Sequence, residues 1–246
     1  MRAPLRILAM LGWLLALLPL HGVTRLLRRP SPWPRRFLGG VARIAGARVS
    51  VRGAPLPAPV LYLANHQSWL DILVLAGATG AAFVSKDEVA RWPLIGWLAS
   101  LNDTVFIARS DRAGVRQQAD ALAAALARER PVALFPEGTT SDGTGLLRFN
   151  ASLLGAGAGT GARVQPVAID YGRARAGIAW FGEESAMRNV TRVLGRAGRF
   201  DVRLTFLDPF DTPTDRKALA AAAHGTIRES LFAPDVPASD WRPASL

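Results

Sequence analysis

Hydrophobic and polar positions change rhythm several times along the chain. Residues 7–20, ILAMLGWLLALLPL, carry no charge. That falls short of the ~20 apolar residues of a comfortable membrane span, and extending it to 5–23 takes in Arg6 and His21. Over 34–49, Phe37, Leu38, Val41, Ile44 and Ala45 recur at helical spacing, with Arg35, Arg36, Arg43 and Arg48 between them. This predicts a basic amphipathic helix. Residues 52–59, RGAPLPAP, read as a turn-rich linker. Beyond it, short apolar runs alternate with helical patterns. Strands are predicted at 60–64, 82–85, 104–108, 132–135, 164–169, 178–181 and 201–206, and helices at 68–76, 88–101, 112–130 and 215–231. The alternation predicts an α/β fold, a central and mostly parallel sheet covered by helices. Continuously apolar strands such as VLYLA and VALF suit a sheet buried on both faces. In such folds functional residues sit in loops beyond the C-terminal strand ends.

Composition narrows the chemistry. The 246-residue chain has no cysteine, which excludes disulfide scaffolds, Fe–S clusters and thiol nucleophiles. Its three histidines, His21, His66 and His224, leave little material for a metal site, and none is expected. The net charge is +11, yet it is unevenly spread. Residues 1–52 hold ten arginines and no acid, while the rest is close to neutral. Basic charge interleaved with apolar runs fits an anionic membrane surface, with Trp13 and Trp33 as interfacial anchors, rather than nucleic acid. A cleaved signal peptide, a single span with its basic side inward, and a shallow helix or helical pair in one leaflet all remain open for this segment.

Three polar clusters follow predicted strands. In Asn65–Asp71 (NHQSWLD), one helical turn carries the Asp71 carboxylate back toward the ring of His66, a base with its orienting acid. Residues 135–143, FPEGTTSDG, offer backbone N–H groups and hydroxyls to an anionic substrate. Arg109, at the end of VFIAR, can hold a phosphate or carboxylate in a fork. Lys86 is a weaker candidate for a headgroup or cofactor phosphate. Glu183 and Glu184 have no identifiable partner in the sequence.

The order of NHQSWLD (65–71), VFIAR (105–109), FPEGTTSDG (135–143) and VQPVAI (164–169) resembles the lysophospholipid acyltransferases of the glycerolipid acyltransferase superfamily. The nearest type is the bacterial 1-acylglycerol-3-phosphate acyltransferases. The resemblance implies a membrane-docking segment at 1–52 and an acyltransferase domain at 53–246. It implies a bacterial inner-membrane enzyme whose site faces the cytoplasm, acting on a lysolipid acceptor with acyl-CoA or acyl-carrier protein as donor and no cofactor. His66 is then the general base and Asp71 its orienter. Arg109, Glu137, Gly138, Thr139 and Thr140 are then acceptor-binding residues, and N–H groups after His66 stabilise the oxyanion. No Gly-x-Ser-x-Gly nucleophile elbow is present, so no covalent intermediate is expected. Two departures bear on the acceptor. Thr140 stands where the family commonly has arginine, and Phe149-Asn150 where many members have Phe-Lys. Arg148 or Arg112 would have to supply the missing charge, or the headgroup differs. The main reading is therefore acylation of 1-acylglycerol-3-phosphate, and the alternative is lyso-ornithine lipid, whose headgroup lacks glycerol phosphate. A hydrolase, and a non-catalytic lipid-binding protein of the same fold, are the further alternatives.

Overall fold

The computed structural model describes residues 2–107, 120–128, 130–151, 154, 162–210, 215–233, 237–244 and 246. Its centre is β2 (Val60–Ala64), buried at every position because alternate side chains enter two different cores. Leu61 and Leu63 face one core; Val60, Tyr62 and Ala64 face the other. Around β2 the sheet runs in the order β4-β3-β5-β2-β6-β7-β1-β8. These strands are β1 (Ala47–Arg52), β3 (Ala82–Lys86), β4 (Val105–Ile107), β5 (Val132–Leu134), β6 (Arg163–Asp170), β7 (Phe200–Phe206) and β8 (Arg242–Pro243). Five of the seven neighbouring pairs are parallel; β6 with β7 and β1 with β8 are antiparallel. The expected sheet, mostly parallel and covered by helices, is therefore present.

One face carries α2 (Trp33–Ala45) and α3 (Leu70–Thr79), whose apolar sides join the core of Tyr62 and Val74. The other carries the helical residues 120–126 and α7 (Arg216–Phe232), packed on Leu61 and Val164. Asp215 caps α7 by accepting the Lys217 and Ala218 N–H groups. On this face the ring of His224 meets Phe149 edge to face at 5.2 Å.

The predicted helix at 34–49 is corrected. It stops at Ala45, where Gly46 takes a left-handed φ of 108° and closes the last turn onto Ala42 and Arg43. Residues 47–52 then form β1, paired in register with β7 from Ala47↔Phe200 to Arg52↔Thr205. The sheet thus reaches back into the segment that the sequence assigned to the N-terminal appendage. The predicted helix at 88–101 is two helices, α4 (Asp87–Ala90) and α5 (Pro93–Leu101). The break falls at Trp92, held extended at φ −77° and ψ 113° by the proline that follows. The predicted strand at 178–181 is not one. Ile178 and Ala179 bond back to Arg175, closing the 3₁₀ turn Gly172–Gly177. Of the predicted helix at 112–130, residues 112–119 and 129 lie outside the described residues.

The first helix, α1 (Arg2–Leu26), lies along this body rather than projecting from it. The Arg6 guanidinium donates to the carbonyls of Leu194 and Gly198, and Ala3, Met10 and Trp13 pack on the core. Trp13 donates to the Arg36 carbonyl, and Trp33 to the Thr24 hydroxyl. The opposite side presents Leu5, Leu8 and Leu15 to the outside.

Candidate active site

The site forms where β2 ends. The Asn65 amide extends the ladder to β6 with its side chain: it donates to the Ile169 carbonyl at 2.9 Å and accepts from the Ile169 N–H at 2.8 Å. The backbone then turns, and His66 is fixed at both peptide groups. Its N–H donates to Glu137 Oε1 at 2.6 Å, and its carbonyl accepts the Ser141 N–H at 2.9 Å. The imidazole lies flat on Phe135, ring centroids 4.0 Å apart at 8°. Gln67 follows, its carbonyl accepting the Trp180 N–H and its side-chain amide donating to Ile169. Gly143 has a φ of +74°, and a Cβ there would stand 2.4 Å from Gln67 Oε1. The loop needs glycine there to close over Gln67.

Asp71, in the first turn of α3, is fully buried and serves four donors. Oδ2 meets His66 Nδ1 at 2.8 Å and accepts the N–H groups of Gln67 (2.6 Å) and Ser68 (2.8 Å). Oδ1 accepts the Tyr171 hydroxyl at 2.5 Å. Burial, then the neighbouring Asp71, push the Tyr171 phenol far above its usual range, so it remains a donor. With Nδ1–H given to Asp71, the lone pair of His66 sits on Nε2. The pair therefore has the arrangement of a base and its orienter, its ring 17% exposed.

Glu137, expected at the acceptor, is held by main chain. Both carboxylate oxygens are taken by backbone N–H groups, His66 at 2.6 Å and Leu147 at 2.9 Å. It positions the histidine backbone and the 135–147 loop. Burial pushes its carboxyl up to about 7, against the downward pull of those two bonds. The sign follows: between pH 4.5 and about 7 an unfolded chain has released this proton and the folded one keeps it. Stability should fall as pH rises through that window. Denaturant unfolding should show this slope in the wild type and not in Glu137→Gln; parallel curves would remove Glu137 from the account.

Of the N–H groups after His66 expected at the oxyanion, three already have partners within the protein. The Gln67 and Ser68 N–H groups both point at Asp71, and Leu70 N–H at the Ser68 hydroxyl. Of the remaining candidates, Gly138 turns the loop at φ +70° with its N–H on the Phe135 carbonyl, Thr139 is exposed and Thr140 half-buried. Arg148 and Asn150 are exposed on the irregular stretch that follows. Lys86 ends β3, on the same sheet edge as His66, since β3, β5 and β2 run parallel. Arg109 and Arg112 lie outside the described residues.

Two supports were missed in the sequence. Tyr171 stands two positions past the predicted strand 164–169, the place where a strand end faces the site. Glu184 has partners after all: its carboxylate takes the Arg192 guanidinium at 2.7 and 2.8 Å and the Asn189 amide at 2.8 Å. These bonds hold it down to about 2. Asn189 in turn accepts the Trp69 indole N–H, tying α6 (Ala186–Gly195) to the start of α3.

Comparison with known proteins gives the family. The acyltransferase family profile matches residues 48–170, from β1 to the end of β6. Lyso-ornithine lipid O-acyltransferases of Rhodobacter capsulatus and Pseudomonas aeruginosa are each 36% identical, covering 94% and 92% of this chain and 90% and 88% of their own. A 1-acyl-sn-glycerol-3-phosphate acyltransferase of Neisseria gonorrhoeae is 39% identical over 47% of this chain and 45% of its own. The crystal structure of the 1-acyl-sn-glycerophosphate acyltransferase of Thermotoga maritima superposes with a TM-score of 0.65, covering 96% of this chain and all of that one at 22% identity. That likeness shows the fold. Taken with the family profile and relatives matched along nearly their whole length, the chain belongs to the acyltransferase family.

Proposed function

We propose that the chain transfers a fatty acyl group from a thioester donor to the free hydroxyl of lyso-ornithine lipid, at the cytoplasmic face of a bacterial inner membrane. The reaction rests on the pairing of His66 with the buried Asp71. His66 Nε2 takes the proton of the acceptor hydroxyl as its oxygen attacks the thioester carbonyl. Asp71 holds the ring and offsets the positive charge it acquires. Collapse of the tetrahedral intermediate forms the ester and breaks the carbon–sulfur bond, and the imidazolium returns its proton to the departing thiolate. Free coenzyme A or carrier protein and a two-chain lipid leave.

The choice of acceptor is carried by one observation, the extent of the match. Relatives named for lyso-ornithine lipid align over 82–94% of the chain, against 47% for the glycerol phosphate enzymes of Neisseria. This favours the alternative over acylation of 1-acylglycerol-3-phosphate. Thr140 agrees with it, since an arginine there would suit a phosphate. The test offers labelled acyl-CoA and acyl-carrier protein to membranes holding the protein, with lyso-ornithine lipid or lysophosphatidic acid. Transfer to the ornithine acceptor is expected; transfer to lysophosphatidic acid alone would overturn the assignment. Thr140→Arg should raise transfer to lysophosphatidic acid relative to the ornithine acceptor by about tenfold, the worth of one charge-assisted hydrogen bond. An unchanged ratio would remove position 140 from acceptor selection.

Docking at the membrane uses α1 and α2. The helix α1 is apolar enough to cross a bilayer, yet its contacts to Leu194 and Gly198 near one end and to α2 beyond hold it against the body. A helix held along its length in this way suits one leaflet better than a crossing.

A further inference from the structure

We propose that α5, with Trp92 before it, is a second membrane-inserting element, separate in sequence from α1 and α2. The helix PLIGWLASL carries no charge. Its residues Leu94, Ile95 and Trp97, together with Trp92, are 42–50% exposed. Four large apolar side chains within six residues are more than scattered surface hydrophobics, and such a patch marks an interaction site. Two of them are tryptophans, which prefer the boundary between lipid and water.

The occupant is a phospholipid bilayer, for three reasons. First, α5 is continuous with the lipid-docking helix: Leu98 and Leu101 line an apolar cavity shared with Leu14, Leu17 and Leu18 of α1. The two helices are therefore neighbours across that cavity, with Leu15 exposed on one and Leu94 and Ile95 on the other. Second, Gly96 is buried against the carbonyl of Ala90, where a Cβ would come within 2.2 Å. That contact seats α5 on α4 and leaves Leu94, Ile95 and Trp97 outward. Third, the α4–α5 segment leaves the sheet from the end of β3, on the edge where β2 delivers His66 and β5 the 135–143 loop. Insertion there brings the catalytic edge toward the surface that holds a two-chain lipid product. The proposal rests on the lipid acyltransferase reading and adds to it a contact that fixes how the domain tilts.

The absence of cysteine allows single labelling sites in the full-length protein. An environment-sensitive fluorophore is attached at Ile95→Cys, at Leu15→Cys on the exposed side of α1, and at Glu229→Cys on α7, across the sheet. Each protein is mixed with vesicles of phosphatidylcholine and phosphatidylglycerol carrying a lipid-borne quencher. Labels at 95 and 15 should shift to the blue and lose about half their emission, as for groups seated in the acyl boundary, and the label at 229 should not. Leu94→Cys replaces Ile95→Cys should the latter fail to fold. Quenching at 15 with none at 95 overturns the α5 proposal and leaves the docking of α1 standing. Quenching at 95 with none at 15 supports α5 and overturns α1. Silence at both sites overturns both, and silence at 95 with a concentration-dependent dimer assigns the patch to a second copy instead. Ile95→Glu with Trp97→Glu should lower transfer to vesicle-held acceptor by about tenfold while sparing transfer in detergent micelles, because only a bilayer penalises charge at that depth.

Discussion

His66→Ala should lower acyl transfer by a factor on the order of 10³ while leaving the protein folded and its acceptor KM close to that of the wild type. The reason is the division of labour around the ring. The backbone N–H and C=O of His66, not its imidazole, tie it to Glu137 and Ser141. Removing the ring deletes the base, one stacking contact on Phe135 and one bond to Asp71. Asp71 keeps its three other donors, so the turn that carries residue 66 survives. Thermal unfolding of the variant should therefore stay within a few degrees of the wild type, and single-turnover transfer should carry the defect. The same variant separates transfer from hydrolysis: free fatty acid released by the wild type without acceptor, and lost in the variant, would mark water as the true acceptor. Transfer within tenfold of the wild type would remove His66 from the base role.

How much of this was legible in the sequence depends on where the information lies. The strand VLYLA and the His-x4-Asp turn were legible because both are local: a run buried on two faces, then one turn of helix that returns Asp71 to His66. The sheet order was not, because β3 and β5 become neighbours only once non-local pairing has taken place. The misread end of α2 has a specific cause. Ala45 and Val49 satisfy helical spacing, and Ala47, Val49 and Val51 equally satisfy the period of a strand. Gly46 decided between them, and its left-handed φ is visible only in the structure. The site residues divide in the same way. Types and order pointed to His66 and Asp71, whereas the roles of Glu137 and of the Gln67 and Ser68 N–H groups depend on which partner each atom meets. A glutamate in a polar loop reads as a ligand-binding residue; in the fold both its oxygens are filled by main chain. Tyr171 lies 100 residues from Asp71 along the chain and meets it only because β6 lies beside β2.

The second large effect is expected at Asp71, and there the choice of replacement decides what is measured. Asp71→Ala leaves the N–H groups of Gln67 and Ser68, the Tyr171 hydroxyl and the His66 ring without their acceptor in a fully buried position. Each orphaned buried donor costs about 1–3 kcal/mol. Several together approach the whole stability of a domain, roughly 5–15 kcal/mol, so this variant should fail to accumulate as folded protein. Asp71→Asn is the informative one. Its oxygen can still accept from Gln67, Ser68 and the ring, and its amide can donate to Tyr171, whose hydroxyl turns to accept. The geometry is retained and the negative charge is lost. Without that charge the imidazolium formed during attack has no counter-ion, and transfer should drop between ~10² and ~10⁴-fold at unchanged KM. Unfolding measurements should place Asp71→Asn between the wild type and Asp71→Ala. A folded Asp71→Asn protein with nearly full transfer would mean that Asp71 only builds the turn, and that the proton leaves the acceptor by another route.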